Sequence, residues 1–379
     1  ELMQIVRDAG MRMVGPNCMG LINMDSAISM NGQFGPLTPP AGNVAMSSQS
    51  GALGVAILDY ATELNIGIST FISIGNQPDV SGDDLLLYWE SDPGTDVILL
   101  YMESFGNPRR FARAARRIAK KKPIVAVKSG RTAAGARAAS SHTGSLASLD
   151  VAVDTLFRQA GVIRTDTLTE MFDVASLVAN QPLPKGRRIG ILTNAGGPAI
   201  LAVDALEANG LDVVEFSDEL KSKLRALLAA DASAGNPVDM IASAGPREYA
   251  ACIDLLMNSD EIDALMAIFI PAAPEGADEV AMAIRDAAFE HHGDKPFLTV
   301  YMSSGGAPDI FSSGDVGIPT YQFPEPAALA VARAVEYVEW REKDEGAVLG
   351  FDDVDAAKAR AIVESALDRS GGGWLDPDD

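Results

Sequence analysis

The chain has 379 residues, which predicts two or three domains, and its hydrophobic content of 47% is enough for packed cores. No apolar run approaches the roughly 18 residues of a membrane helix, and a net charge of −22 repels phosphate backbones, so neither a membrane-spanning nor a general nucleic-acid-binding protein is expected. Two cysteines and three histidines predict neither a disulfide framework nor a metal site, and the absence of a signal-peptide pattern indicates a cytoplasmic protein.

In the first half of the chain, short apolar runs alternate with helical patterns. Residues 1–38 are too short and glycine-rich for a domain and are predicted to be the tail of a preceding one. The alternation after them predicts a parallel sheet covered by helices on both faces. Strands are predicted at 44–48, 66–74, 96–102 and 123–128, and helices at 51–64 and 107–121.

The prolines and glycine of residues 181–188 predict a linker, after which the same alternation restarts. Here the pattern predicts strands at 188–194, 264–270, 295–301 and 318–323, a helix from about 197, a long helix at 326–343 and an amphipathic helix at 353–367. The predicted organisation is therefore a tail (1–38), two α/β domains (39–183 and 184–345), and a helix with a linker that leads onward (346–379).

The two predicted domains begin alike. Residues 43–68 align without a gap on residues 188–213, so that Gly51 falls on Gly196 and Asp59 on Asp204. Each segment consists of a strand, a polar loop, a glycine and a helix. A match of this length predicts that the two domains are related.

Two loops within this repeat are candidate phosphate sites, because each joins a strand to the first turn of a helix, where N–H groups lack partners. Each loop alone is equally typical of an ordinary tight turn with an N-cap. As a matched pair, they are predicted to hold one shared phosphate. The residues predicted to line it are Ser48, Gln49, Ser50, Gly51, Asn194, Gly196 and Gly197.

His142 is the candidate nucleophile, because it lies in a Ser/Thr/Gly loop after a predicted strand, where ligand sites of α/β folds form. A lone histidine is more often structural or solvated. Glu103 follows another predicted strand, where its carboxylate can orient an imidazole or simply pair with Arg109 or Arg110. Asp239 lies in a polar proline turn, as a cap or as a ligand contact.

Together these motifs resemble the NDP-forming acyl-CoA synthetase superfamily, which includes succinyl-CoA synthetase and, closer in pattern, the ADP-forming acetyl-CoA synthetases. Residues 15–18 (GPNC) are similar to the motif that ends the family's CoA-binding domain. Residues 48–51 (SQSG) resemble a loop of its succinyl-CoA-ligase-like flavodoxin domain, and residues 141–144 (SHTG) resemble the motif of its phosphorylated histidine. Residues 194–198 and 236–239 resemble motifs of its second flavodoxin-like domain.

The resemblance implies two tandem flavodoxin-like domains, with doubly wound parallel sheets, and a reversible reaction. Acyl-CoA and phosphate give an acyl phosphate, which phosphorylates His142 and releases the acid. The phosphohistidine then phosphorylates ADP at an ATP-grasp site. Glu103 matches the family glutamate that orients the histidine. The positions implied to lie next to substrate or CoA are Asn17, Asn76, Asn236 and Asp239.

The resemblance also implies the partners of the chain. CoA and ADP or ATP are substrates, and Mg²⁺ is expected only at an ATP-grasp domain or subunit, which this sequence does not contain. The chain is therefore expected to be the middle of a longer enzyme that forms a homo- or hetero-oligomer. The loop at 131–142, rich in Ala, Gly and Ser, is predicted to carry His142 between two sites.

Other classes of protein compete with this interpretation. Some relatives of the family are fused to an acetyltransferase, lack the histidine, and sense ligands or acylate lysines; the presence of His142 argues against that class. Another alternative is a flavodoxin-like module that only holds CoA or an acyl phosphate. A pair of dehydrogenase-type domains is disfavoured, because no GxGxxG motif lies in a βαβ unit.

Overall fold

A computed structural model describes residues 2–132, 134–135, 137, 150–271, 276–312, 317–344, 346 and 354–370. The chain divides into two compact units, Glu1–Arg341 and Glu342–Asp379. The larger unit contains both sheets. The smaller one contains a single described helix, Ala356–Ser370, which lies close to the predicted amphipathic helix. Among the described residues, no helix is long and apolar enough to span a membrane.

The first sheet has seven strands. They are β1 (Leu21–Asn23), β2 (Met30–Asn31), β3 (Ala41–Ser48), β4 (Ile68–Ser73), β5 (Val97–Met102), β6 (Ile124–Lys128) and β7 (Val162–Thr165). Their order is β2-β1-β4-β3-β5-β6-β7. The strands from β3 to β7 are parallel, whereas β1 pairs antiparallel with β2 and with β4. Residues 21–31, predicted to belong to a preceding domain, thus extend this sheet at one edge.

Six described helices accompany this sheet: α1 (Leu2–Asp8), α2 (Gly51–Glu63), α3 (Gly82–Ser91), α4 (Pro108–Ala119), α5 (Asp150–Ala160) and α6 (Leu168–Asn180). Polar side chains fix where several of them begin. The Ser50 hydroxyl accepts from the backbone N–H of Leu53 at the start of α2. The Asn107 side chain caps α4, whose first residue, Pro108, has no N–H that would need an acceptor. Strands β4 and β6 are buried along their whole length. The sequence of β6 is apolar up to Lys128, whereas β4 also buries Ser69, Thr70 and Ser73.

The second sheet has five strands: β8 (Ile189–Thr193), β9 (Val238–Asp239), β10 (Ala264–Phe269), β11 (Phe297–Tyr301) and β12 (Thr320–Tyr321). They are all parallel, in the order β12-β11-β10-β8-β9. Five described α-helices accompany them: α7 (Gly196–Ala208), α8 (Asp218–Leu227), α9 (Pro246–Met257), α10 (Ala277–Glu290) and α11 (Pro324–Glu342). The helix of the smaller unit is α12.

Both sheets have the flavodoxin-like strand order, which confirms the predicted fold class. Counted along the chain from β3 and from β8, the five parallel strands of each domain follow the order 2-1-3-4-5. The strand order reverses at the first strand, so the topological switch point lies between β3 and β5 in one domain and between β8 and β10 in the other. Ligands of open α/β sheets bind in the crevice at this point.

The predicted repeat is visible in three dimensions. Helices α2 and α7 have 13 residues each and begin at the aligned glycines Gly51 and Gly196. The aligned residues Ile66 and Leu211 are both buried, at 2% and 3% exposure. The gapless sequence match therefore corresponds to equivalent structural positions in two domains.

The second domain contacts the first at the end of the sheet where the parallel strands begin. The Asn65 side chain, which follows α2, donates to the carbonyl of Ser312 at 2.6 Å, and Gln181, which follows α6, accepts from the backbone of Phe297 at 3.1 Å. The Tyr337 hydroxyl of α11 donates to the carbonyl of Ala119 at the end of α4. These first-domain residues lie at helix C-termini, which places the interface at the amino edge of the sheet.

Candidate functional site

The carboxyl edge of the first sheet brings several predicted site residues together. Parallel strands end at the same edge, so the loops after β3, β4, β5 and β6 all lie there. These loops carry residues 48–51, Asn76 and Glu103 in the described part of the chain. His142 belongs to the segment after β6 but lies outside the described residues.

The loop at 48–51 has the form of an anion-binding helix start. Ser48 is fully buried, and its hydroxyl donates to the carbonyl of Ser50 at 2.7 Å, which holds the loop closed. The Ser50 hydroxyl caps the N–H of Leu53, so the N–H groups of the first α2 residues remain for another acceptor. A Cβ at Gly51 would lie 3.2 Å from the backbone nitrogen of Met19, so a larger residue would crowd this approach.

The Gln49 side chain connects this loop to the loop that carries Glu103. Its Oε1 atom accepts from the backbone N–H groups of Glu103 and Ser104 at 2.7 and 2.9 Å, and its Nε2 donates to the Ser104 carbonyl at 2.8 Å. The amide thus bridges β3 and β5 at the switch point. Gln49 positions the Glu103 backbone, while contact with a phosphate at this loop would come from backbone N–H groups.

The GPNC segment packs against the same edge. Asn17, at φ 59°, donates from Nδ2 to Oδ1 of Asn76 at 3.3 Å, and the N–H of Asn76 donates to the carbonyl of Pro16 at 3.0 Å. A Cβ at Gly75 would come within 2.3 Å of that carbonyl, so only glycine permits this approach. The structure therefore brings Asn17 and Asn76 together beside the start of α2.

Lys128 is a charged group at this edge that the sequence interpretation did not single out. It ends β6, is 7% exposed, and its Nζ donates to the carbonyl of Ser129. Burial lowers the pKa of Lys128, and the nearby carboxylates of Asp150 and Glu103 oppose that change. A charged residue that ends an otherwise apolar strand was the available sequence signal.

The loop that follows β8 in the second domain has hydrogen bonds equivalent to those of Ser48 and Gln49. The Thr193 hydroxyl donates to the carbonyl of Ala195 at 3.0 Å, as Ser48 does to Ser50. Asn194, which aligns with Gln49, donates to the carbonyl of Ile270 at 2.9 Å and accepts from its N–H at 3.0 Å. In both domains, therefore, an amide after the first strand bridges the switch point to the loop after the third strand.

A carboxylate lies at the start of α7. A Cβ on Gly196 would come within 3.1 Å of Oδ2 of Asp239, whereas Gly197 faces open space. Oδ1 of Asp239 accepts from the N–H of Ile241 at 3.0 Å, and Ile241 has the unusual φ of 63° for a β-branched residue. The position that the sequence assigns to a phosphate oxygen thus has a carboxylate beside it, and the strained Ile241 marks a loop that the interpretation missed.

Asn236 is not brought to this edge. Its Oδ1 accepts from the N–H of Ile191 at 3.0 Å, and its Nδ2 donates to the carbonyls of Ile189 and Val214. Ile189 and Ile191 lie in the first half of β8, before its carboxyl end, and Val214 lies between α7 and α8. The side chain supplies the backbone partners that the short β9 does not reach, which is a structural role.

The two candidate phosphate loops do not meet in one chain. Among the described residues, no hydrogen bond or ion pair joins residues 48–51 to residues 194–197. The contacts between the domains lie at the amino edge of the first sheet, whereas Gly51 lies at its carboxyl edge. A strand of six residues separates these edges by about 20 Å. The shared phosphate therefore stays a prediction without support from this geometry.

A cavity of about 240 Å³ lies next to the Glu103 loop, and both Gln49 and Ser104 line it. Buried within its wall is Asp83, 7% exposed. Among the described residues, no group of three or more His, Cys, Asp and Glu side chains is placed to hold a metal ion. The start of α2 offers backbone N–H groups to an anion, next to the loop that carries Glu103.

Two family models match the chain, one on each domain. The succinyl-CoA ligase like flavodoxin domain matches residues 41–178, and the Ligase-CoA domain matches residues 189–301. The first match contains the loop at 48–51 and Glu103, and it spans His142. The second contains Asn194 and Asp239.

Curated proteins and solved structures give the same result. Acetate–CoA ligase (ADP-forming) II subunit alpha from Pyrococcus furiosus is 39% identical over 341 residues, which are 89% of this chain and 73% of the relative. Acetate–CoA ligase (ADP-forming) I of Archaeoglobus fulgidus is 34% identical over 98% of this chain, which spans 53% of that relative.

The dinucleotide forming acetyl-coenzyme A synthetase 1 of Candidatus Korarchaeum cryptofilum, solved with phosphate and ADP, superposes with a TM-score of 0.84 at 33% identity. The match covers 90% of this chain and 74% of that one. The chain thus spans about three quarters of the Pyrococcus alpha subunit and about half of the Archaeoglobus ligase.

Proposed function

The chain belongs to the family of ADP-forming acyl-CoA synthetases, and from that premise we propose that it performs the phosphoryl-transfer half of acid–thiol ligation. Phosphate displaces CoA from an acyl-CoA and gives an acyl phosphate. An imidazole nitrogen of His142 then attacks the phosphorus, the P–O bond to the acyl group breaks, and the acid leaves as its carboxylate. The phosphohistidine passes its phosphoryl group to ADP, and every step is reversible.

The observation that supports this proposal best is the Gln49 bridge at the switch point of the first sheet. It fixes the backbone of Glu103 beside the first turn of α2, with donor–acceptor distances of 2.7–2.9 Å. The N–H groups of that turn can hold phosphoryl oxygens without neutralising them fully. The carboxylate of Glu103 can accept a hydrogen bond from an imidazole and hold the ring in the orientation for attack.

The remaining parts of the reaction come from partners. CoA and ADP or ATP are substrates, and Mg²⁺ binds with the nucleotide at an ATP-grasp domain or subunit. We place the assembly in the cytoplasm, as a homo- or hetero-oligomer, with residues 1–38 next to the CoA-binding domain. The alternative of a ligand-sensing or acyltransferase-linked module is not favoured, because the proteins that match this chain over most of its length are named as ligases.

Acetyl phosphate tests the central step, since phosphorylation of His142 by an acyl phosphate needs no nucleotide. The wild-type chain should gain one phosphate by intact mass, labile in acid and stable in alkali, and peptide mapping should assign it to His142. The H142N variant should gain none. An H292N variant, at an exposed histidine of the second domain, should be phosphorylated like the wild type.

A phosphate on another residue, or an H142N variant labelled as fast as the wild type, would disprove the proposed nucleophile. If the wild type stays unlabelled with acetyl and phenylacetyl phosphate, the same assay is run with the chain, its ATP-grasp partner, Mg²⁺ and ATP. The absence of phosphohistidine in that assay as well would reject ligase chemistry and favour the ligand-sensing module.

A further inference from the structure

The cavity beside the Glu103 loop lies where the fold places ligands. Gln49, which follows β3, and Ser104, which follows β5, both line it, so it occupies the crevice at the switch point. The same two residues form the bridge that fixes Glu103. A molecule whose reacting end lies at the start of α2 can therefore extend its other end into this cavity.

The size and the walls of the cavity suit an acyl group. A cavity of about 150 Å³ already holds benzene, so about 240 Å³ has room for an aromatic ring or a chain of similar size. Much of the wall is apolar. The apolar side chains that line it are Ile74, Leu100, Met102, Phe105 and Phe111.

Three acidic residues also line the cavity: Asp79, Asp83 and Asp84. Asp83 is the most buried of them, at 7% exposure, and among the described residues no group donates a hydrogen bond to its carboxylate. The nearest cation is Arg110, with 3.9 Å between its Nε and Oδ2 of Asp83, and Arg110 directs its Nη2 to Asp84 at 2.6 Å. Burial raises the pKa of Asp83, and Arg110 only partly opposes this.

The structural role that such an acid could have is already filled by its neighbour. Asp84 accepts from both the N–H and the hydroxyl of Ser81 and so closes the first turn of α3. Asp83 adds a favourable charge at that helix end, but an exposed acid would do so without the cost of burial. The carboxylate oxygens of Asp83 are open to the cavity, so a ligand there can supply the donor that the protein does not.

On the basis of the proposed function, we propose that this cavity receives the acyl group of the substrate and that Asp83 selects acyl groups with a hydroxyl at their far end. The hydroxyl donates to the carboxylate of Asp83 while the apolar wall packs against the carbons. A hydroxyl fits better than an ammonium group, because the guanidinium of Arg110 already lies next to Asp83. Asp83 is thus a specificity-determining residue rather than a catalytic one.

Phenylacetyl phosphate and 4-hydroxyphenylacetyl phosphate differ only in the hydroxyl, so they form the test pair. The rate of His142 phosphorylation by each is divided by the rate of the same variant with acetyl phosphate, so that a general loss of activity cancels. The wild type should favour the hydroxylated compound about tenfold or more. D83L should lose or reverse this preference, D83N should retain a weaker one, and D59L, at an exposed acid of α2, should keep it.

Equal preference in the wild type and in D83L would overturn the proposal. If no variant is labelled, either by an acyl phosphate or by ATP with the ATP-grasp partner and Mg²⁺, the proposed function fails, and the cavity is then tested by calorimetry with the free acids. The wild type should bind 4-hydroxyphenylacetate at least tenfold more tightly than phenylacetate, and D83L should not. Binding without that difference, or no binding, would reject the acyl pocket independently of the ligase chemistry.

Discussion

The side chain of Gln49 joins the loops that follow β3 and β5. Its three hydrogen bonds to the backbone of Glu103 and Ser104 continue the direct pairing of these two strands beyond their ends. Asn194 makes the equivalent bridge to Ile270 in the second domain. The recurrence of this bridge in both domains indicates that it belongs to the fold, and in the first domain it fixes the backbone of Glu103, the carboxylate that we propose orients His142.

Replacing Gln49 with alanine should affect stability and phosphorylation together. Q49A leaves two N–H groups and one carbonyl of a half-buried loop without their partner, which should cost about 2 kcal/mol in urea denaturation. Because the Glu103 backbone is released, the rate of phosphorylation by acetyl phosphate should fall at least tenfold.

The matched control is Q33A, because Gln33 also makes three hydrogen bonds to loop backbone, with Gly35 and Leu37 as partners. Q33A should lose a similar amount of stability and keep the wild-type rate relative to folded protein. Equal loss of rate in the two variants would show that Gln49 acts through stability alone.

The sequence predicts where Glu103 and the two candidate phosphate loops lie along the chain, but not which side chains connect them. Glu103 was predicted from its position after an apolar run, and the structure places it at a strand end as expected. The bridge from Gln49, the buried Asp83 and the carboxylate of Asp239 beside Gly196 all depend on which strands are neighbours. Local hydrophobic periodicity does not show which strands are adjacent in a sheet, so these contacts could be found only in the three-dimensional structure.

Helix α6 carries an acid in an environment that disfavours its charge. Burial and the nearby Glu170 raise the pKa of Asp173 from its ordinary 3.8 to about 6. Glu170 itself is paired with Arg333 of α11, 3.4 Å away, and the Tyr321 hydroxyl donates to the backbone carbonyl of Asp173, not to its carboxylate. The proton on Asp173 is therefore held more tightly in the folded protein than in the unfolded chain.

The pH dependence of stability follows from this difference. The contribution of Asp173 is fully present below about pH 4, where both states are protonated, and is lost as the pH rises through about 6. The rise in the pKa of Asp173 corresponds to roughly 3 kcal/mol of unfolding free energy. Solvent screening at this half-buried position reduces that energy to about 1–2 kcal/mol.

D173N should therefore raise the free energy of unfolding by about 1–2 kcal/mol at pH 7.5, and by much less at pH 4.5. Urea denaturation at the two pH values measures this, with the exposed D59N as a control that should change little at either. A gain of equal size at both pH values would mean that the amide acts through packing or hydrogen bonding instead of charge.

Elements with long apolar runs were predictable, and short or interrupted ones were not. Strands β5 and β10 lie within one residue of their predicted bounds, because each is a run of six apolar residues, all buried in β10 and all but the half-buried Tyr101 in β5. Strand β7 was not predicted, since it has only four residues and contains Arg164. The strand predicted at 318–323 is only two residues long in the structure, because Thr320 and Tyr321 alone pair with β11.

The last helix of the second domain, α11, joins the two domains. Helix α11 belongs to the second domain in sequence, but its C-terminal part lies against the first. Tyr337 donates to the carbonyl of Ala119, and Lys120 donates to that of Arg341 while its ammonium lies 4.8 Å from the centroid of Trp340. The equivalence of the two strand–loop–helix segments was predictable from the sequence repeat. This packing of α11 was not, because no periodicity encodes it.

The tightest point of this packing is Gly161, between α5 and β7. Its φ is +71°, and a Cβ there would come within 2.3 Å of the Trp340 ring. G161A should therefore lose about 3–4 kcal/mol of unfolding free energy, as the sum of left-handed strain and an overlap with a ring in the interface. Gly10 provides a matched control, because its φ is +69° and nothing lies within 4 Å of its Cβ position.

G10A should accordingly lose only about 1 kcal/mol. The difference between the two variants isolates the contact with Trp340, and a double variant tests it directly. G161A combined with W340A should be more stable than the sum of the single losses predicts, because the alanine at 340 removes the atoms that the new methyl group meets. Strictly additive losses, measured by urea denaturation, would show that Gly161 is required for its backbone conformation only and that α11 can shift away from the first domain at little cost.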